Sequence, residues 1–267
     1  MASSNHKRHL FHIVEPSPWP LFSALGAFFL LSGFAFYMHR IQFGGLFWSL
    51  GLLILIFTAF FWFNDIIEES TFQGHHTLVV RAGIRFGFLL FVVSEVMLFF
   101  GFFWAYFHAS LSPALEIGVA WPPTGIQTIS TWGFPFFNTF LLIISGVAIT
   151  WAHRAMAVGL FREAIDSFLI TIFLGFFFVI LQMFEYYEAS FNISDSVYSS
   201  AFYMLTGLHG MHVVVGASFI LICFFRLLNR HFTRNHYLGF VFAIWYWHFV
   251  DAVWIFLFIC VYWWGSW

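Results

Sequence analysis

The sequence predicts an all-α, polytopic membrane protein with seven transmembrane helices. Three observations predict it. Hydrophobic residues make up 61% of the chain and charged residues 8%, far from the balance of a soluble domain. Apolar runs of about 20 residues, the length that crosses a bilayer, recur from end to end with no polar domain between them. The basic residues fall in register with seven crossings. A net charge of −2 offers no attraction to phosphate backbones and excludes a nucleic-acid partner.

The spans cover about 18–38, 42–63, 79–108, 133–153, 164–187, 198–226 and 237–264 and are read as one domain, 1–267. Pro16, Pro18 and Pro20 mark the entry to the first, because proline suits a helix start. His39 to Gly45 is a tight turn into the second. Asn64 to His76 reads as a polar turn. The third and sixth spans exceed a perpendicular crossing and should tilt or project from the lipid. The longest loop, Ser110 to Trp132, carries Trp121-Pro-Pro-Thr-Gly125 and belongs at an interface. Asn192 to Ser196 caps the sixth span.

Lys7 and Arg8 precede the first span. Arg81 and Arg85 flank the second loop, Arg154 and Arg162 the fourth, and Arg226, Arg230 and Arg234 the sixth. With seven crossings all of these share one side, and only Arg40 lies opposite. The positive-inside rule then sets the N-terminus in the cytoplasm or mitochondrial matrix. Met1 to Glu15 reads as neither a signal peptide nor an Arg/Ser-rich presequence. Trp121, Trp132, Trp151, Trp263, Trp264 and Trp267 are placed as interfacial anchors. Gly83-Ile-Arg-Phe-Gly87 has the GxxxG spacing of close helix pairs. Cys223 and Cys260 lie in different spans with no metal-ligand spacing and read as packing residues.

Few residues can support chemistry at membrane depth. Glu95 stands out, in Phe88-Leu-Leu-Phe-Val-Val-Ser-Glu-Val-Met-Leu-Phe-Phe100. A lone carboxylate there costs about 2.5–3.5 kcal/mol on insertion scales, so it must be protonated, paired or wetted. Proton binding and a neutral carboxyl bonded to a neighbouring helix fit Glu95 equally well. His209 and His212 share a helix face at i, i+3. They lack the duplicated pattern of a bis-haem bundle and read as interhelical hydrogen-bond donors or head-group contacts, so no metal site is assigned. His248 and Asp251, also i, i+3, read as a structural polar pair. Glu185 and Glu188 read as wetted at the outer end of the fifth span. Neither a nucleophile elbow nor a phosphate-cradling glycine loop is present, and no residue is assigned as catalytic.

Several motifs converge on one family. They are Ser70-Thr-Phe-Gln-Gly-His-His-Thr77, Ser94-Glu-Val-Met-Leu-Phe-Phe-Gly-Phe-Phe-Trp104, Trp121-Pro-Pro-Thr-Gly-Ile126 and Ile149-Thr-Trp-Ala-His153. Glu185-Tyr-Tyr-Glu188, Asn192-Ile-Ser-Asp195, Thr206-Gly-Leu-His-Gly-Met-His212, Trp245-Tyr-Trp-His-Phe-Val-Asp251 and Tyr262-Trp-Trp-Gly-Ser266 follow in order. From His12 to its end the chain resembles subunit III of aa3-type cytochrome c oxidase. The resemblance implies a core, non-catalytic subunit of the complex that reduces dioxygen to water with electrons from cytochrome c and pumps protons. It implies helices arranged two plus five around a V-shaped cleft filled with phospholipid. The partners it implies are subunits I and II and accessory subunits. Haem a, haem a3 and copper would lie in partner subunits, and this chain would bind structural phospholipids only. It also implies support of proton uptake and of stability in turnover.

Carried over by position, Glu95 matches the family's carbodiimide-reactive intramembrane carboxyl. Trp62, Glu69, His76, His212 and Arg226 match lipid-binding positions. The chain departs from the family in Trp62-Phe-Asn-Asp65, where Asn64 replaces an arginine, and at Glu68, which replaces another basic residue. Ser190 replaces a proline. Arg154 replaces a histidine, and its charge could offset the loss. The implied location is the mitochondrial inner membrane, with a bacterial plasma membrane as the alternative. Two rival functions are subunit III of a bacterial quinol oxidase and a secondary transporter using Glu95, although no inverted repeat supports the latter.

Overall fold

The computed structural model describes residues 10–234 and 236–266. Lys7 and Arg8, which the sequence places ahead of the first span, and Trp267, which it places at an interface, lie outside the described residues. Among those residues, seven helices are long and apolar enough to cross a membrane. They are α1 (Trp19–Met38), α2 (Gly44–Thr71), α3 (Leu78–Leu111), α4 (Phe134–Val158), α5 (Phe161–Glu188), α6 (Val197–Leu228) and α7 (Leu238–Leu257). The last continues as a π-helix, Phe258–Trp263, and a 3-10 turn, Trp264–Ser266. The chain is a multi-pass membrane protein.

Local chemistry sets most of the ends. Pro18 is the N-cap of α1, and Pro20 follows in its first turn. The turn into α2 is tight enough to hold Arg40 and Phe43 at positive φ, 55° and 67°. Ser196 caps α6 by accepting from the Ser199 N–H at 3.1 Å. Gly159 closes α4 at φ 91°, a conformation costly for other residues. One expectation fails: Asn64 to Thr71 is helix, not turn. Nothing in that stretch breaks a helix, and the first glycine comes at Gly74, with φ 65°. Polarity there marks emergence from the apolar layer, not the end of the helix.

The chain forms two compact units, Met1–Phe86 and Gly87–Trp267. In the first, α1 packs along α2. The residues they bury are Gly26 and Gly33 on one helix and Gly44, Gly51 and Thr58 on the other. All are small and repeat every seven residues. A Cβ on Gly33 would strike the backbone of Phe47 and Trp48, and one on Gly51 the backbone of Leu30. Close backbone approach through small residues is the general means of packing helices in lipid. Gly83 and Gly87, by contrast, have nothing within 4 Å of an added Cβ. Their GxxxG spacing therefore packs nothing among the described residues.

In the second unit α4 packs on α5, α5 on α6, α6 on α7 and α7 on α4. Trp247 of α7 sits at the centre, fully buried. Its indole N–H donates to Ser145 Oγ of α4 at 2.9 Å. Its ring lies against Gly175 of α5 and Gly216 of α6, where a Cβ would come within 2.6 and 3.1 Å of it. Trp254, about two turns farther along the same face of α7, donates to Thr139 of α4 at 3.0 Å. Phe99, Phe103 and Tyr106 of α3 join the same core. Cys223 and Cys260 are buried and free.

Candidate functional site

Within the second unit, Glu95 of α3 meets His212 of α6, with Glu95 Oε2 2.7 Å from His212 Nε2. The two side chains are 18% and 5% exposed. The other ring nitrogen, Nδ1, lies 2.7 Å from the Leu208 carbonyl oxygen. A carbonyl only accepts, so Nδ1 carries a hydrogen. Nε2 is then an acceptor from a protonated Glu95, or a donor from an imidazolium to a carboxylate. In either case one proton occupies the Glu95–His212 hydrogen bond, and the pair is neutral overall. A neutral pair is the form in which two titratable groups enter an apolar layer at least expense. Phe99 lies 4.9 Å from the imidazole and Tyr246 stacks on it at 6.3 Å. The ring is fixed from three sides.

The other histidines have different surroundings. His209 is buried and donates from Nε2 to the Val250 carbonyl at 3.2 Å, tying α6 to α7. Trp254 and Phe178 enclose it. His248 bonds Thr150 Oγ1 of α4 through Nε2 at 3.2 Å. Its Nδ1 is 3.8 Å from Asp251 Oδ2, an ion-pair distance longer than a hydrogen bond. Gly146 makes room for the Asp251 carboxylate, which would stand 2.6 Å from a Cβ there.

Glu185 corrects the expectation of a wetted acid. It is 1% exposed. Glu185 Oε1 accepts from the Tyr262 hydroxyl at 2.6 Å and from Gln182 Nε2 at 2.9 Å. Gln182 Oε1 in turn accepts from Asn138 at 3.4 Å. The network joins α4, α5 and the π-helical end of the chain. One signal could have found it: Gln182 and Glu185 are three apart, on one helix face. Tyr262, which closes the network, is brought in only by the fold.

The positions matched to lipid binding divide between the units. Trp62 and Glu69 are seven apart on one face of α2, and His76 follows the turn after it. His12, which the sequence reading did not single out, lies with Glu69 and His76. Arg226 ends α6, its guanidinium 4.4 Å above the Phe232 ring. It is fourteen residues from His212, about 21 Å along the helix. His212 bonds Glu95 and lies well apart from Arg226 along the same helix.

The family model for cytochrome c oxidase subunit III matches residues 9–266. Proteins named cytochrome c oxidase subunit 3 match over nearly their whole length. The protein of Prototheca wickerhamii is 50% identical over 97% of this chain and 99% of its own. That of Arabidopsis thaliana is 51% identical over 97% and 98%. That of Equus asinus is 52% identical over 98% and 99%. A continuous match of this extent, on a chain whose described residues hold seven helices long and apolar enough to cross a membrane, identifies it as a member of the cytochrome c oxidase subunit III family and so as a subunit of an oxidoreductase complex.

Proposed function

We propose that this chain stabilises the oxidase and holds an intramembrane proton, through the Glu95–His212 pair, while redox chemistry takes place in its partners. The single observation that carries the reading is the 2.7 Å bond between Glu95 and His212, closed on its far side by the Leu208 carbonyl. The pair is neutral while it holds that proton, so release of the proton to a neighbouring path would have to be matched by uptake of another for the pair to remain uncharged in lipid. The complex would take electrons from cytochrome c and deliver them to dioxygen at haem a, haem a3 and copper in subunits I and II. This chain would pack on subunit I and sustain proton uptake. Its location would be the mitochondrial inner membrane with the N-terminus in the matrix, as the basic residues favour.

Phospholipid is the second element of the reading. Trp62 offers an exposed indole on α2, and Arg226 a guanidinium at the end of α6, the usual partners of acyl chains and head-group phosphates. Glu69 and His76 complete the set on the first unit.

The test is carbodiimide labelling of the purified complex, read by mass spectrometry beside turnover, proton-to-electron ratio and durability. The expected result is label on Glu95, loss of that label in Glu95→Gln, and a variant that loses activity sooner during turnover. An unlabelled Glu95 with a silent Glu95→Gln variant would leave the pair as packing alone. Proton movement by the chain alone in liposomes would favour the transporter reading instead.

A further inference from the structure

We propose that His12, Glu69 and His76 form a binding site for a divalent transition-metal ion, zinc foremost, with one position open to an oxygen donor. The site lies within the unit Met1–Phe86. It shares Glu69 and His76 with the lipid reading but does not rest on it.

The first observation is convergence. One donor atom from each residue lies within 4.8 Å of the others. An ion at the centre of a triangle with that longest edge would be at most about 2.8 Å from each donor, against about 2.0–2.2 Å in zinc sites. Side-chain rotations that draw each atom in by less than about 1 Å would complete the shell. The second is chemistry. Two imidazoles and a carboxylate suit zinc, and three protein ligands with a free position are the pattern of an open zinc site. A cation would also resolve a conflict in the lipid reading: a phosphate placed beside Glu69 would be repelled by its carboxylate unless positive charge lay between them.

The third is how the chain is held. His12 lies on the extended segment before α1, far from the other two in sequence. The Leu10 carbonyl of that segment accepts from the Thr77 hydroxyl at 2.5 Å, and Trp19 beyond it donates to Asp65 of α2 at 2.5 Å. The segment is thus pinned on both sides of His12. His75 stacks on the His12 ring, with centroids 4.9 Å apart and planes 7° from parallel. His12 Nδ1 is 4.0 Å from Glu69 Oε2, and their side chains are 11% and 23% exposed, sheltered but within reach of solution.

The experiment uses the whole complex, stripped with a chelator and titrated with Zn2+, before and after detergent removal of phospholipid. Wild type is compared with His12→Gln, Glu69→Gln and the control His39→Gln. Recovery of intact complex on native gels confirms that each variant folds. Wild type and His39→Gln should bind one more tight equivalent than His12→Gln and Glu69→Gln, whether or not phospholipid is present. X-ray absorption of that equivalent should show two imidazoles at about 2.0–2.1 Å. Equal stoichiometry in all four proteins, or an all-oxygen shell, would overturn the proposal. Binding that vanishes with the phospholipid would assign the ion to head groups; the three-residue site would then fall while the lipid reading stood.

Discussion

The two units solve the same problem, holding apolar helices together in lipid, by different means. In Met1–Phe86 the described helices α1 and α2 meet through glycines and one threonine, and 11% of each helix's most apolar stretch is buried. Across α4 to α7 that share is 33–50%. There the interface is built from Trp247, Trp254 and the polar bonds of Ser145, Thr139, His209 and Glu185. Lipid tails are as apolar as leucine, so burying apolar side chains gives little drive to associate in a membrane. Close backbone contact and interhelical hydrogen bonds remain. The first unit relies chiefly on contact, and the second uses both.

Substitutions can break that contrast, and their expected effects fall in order. The largest is Trp247→Ala. It removes the side chain that fills the space between α4, α5 and α6 and should cost about 3–5 kcal/mol. The complex should be recovered poorly, or lose this subunit at a clearly lower temperature. Next is Gly33→Leu or Gly51→Leu, which forces a side chain into the facing backbone and should cost about 1–3 kcal/mol or more. Gly83→Leu should leave the same dissociation temperature nearly unchanged, because an added Cβ there meets nothing within 4 Å among the described residues.

Tyr262→Phe should follow, at about 1–3 kcal/mol, since it strips a donor from the buried Glu185 carboxyl. If the loss is as small as at a surface tyrosine, the polar network does not hold the second unit. The smallest is Thr77→Val, at about 0.5–1.5 kcal/mol. It frees the Leu10 carbonyl and should speed protease cleavage ahead of Trp19 while leaving cleavage in the second unit as before.

Seven helices were legible because about twenty apolar residues in a row admit one reading in a bilayer. Their ends were less so. The extension of α2 through Asp65 and Glu69 was hidden because hydropathy reports the edge of the lipid, not the edge of the helix. The seven-residue spacing of Gly26 and Gly33, and of Gly44, Gly51 and Thr58, was present in the sequence but was not singled out, whereas the Gly83-to-Gly87 motif that was noted packs nothing among the described residues. Glu95 and His212 were both singled out from sequence, one as a proton-binding or helix-bonded carboxyl and the other as an interhelical hydrogen-bond donor or head-group contact, but nothing in the sequence named them as each other's partner. Glu185 was misplaced because its position at a helix end suggested water.

What the sequence determined by itself was composition, span count, family and the rarity of charge at depth, since each follows from the chain's own order of residues. What only the tertiary structure decided was partnership. Glu95 and His212 are 117 residues apart, and Glu185 and Tyr262 are 77 apart. No local periodicity relates such distant residues. Their pairing depends on how helices meet, and that is set by small residues and aromatic volumes spread along the chain.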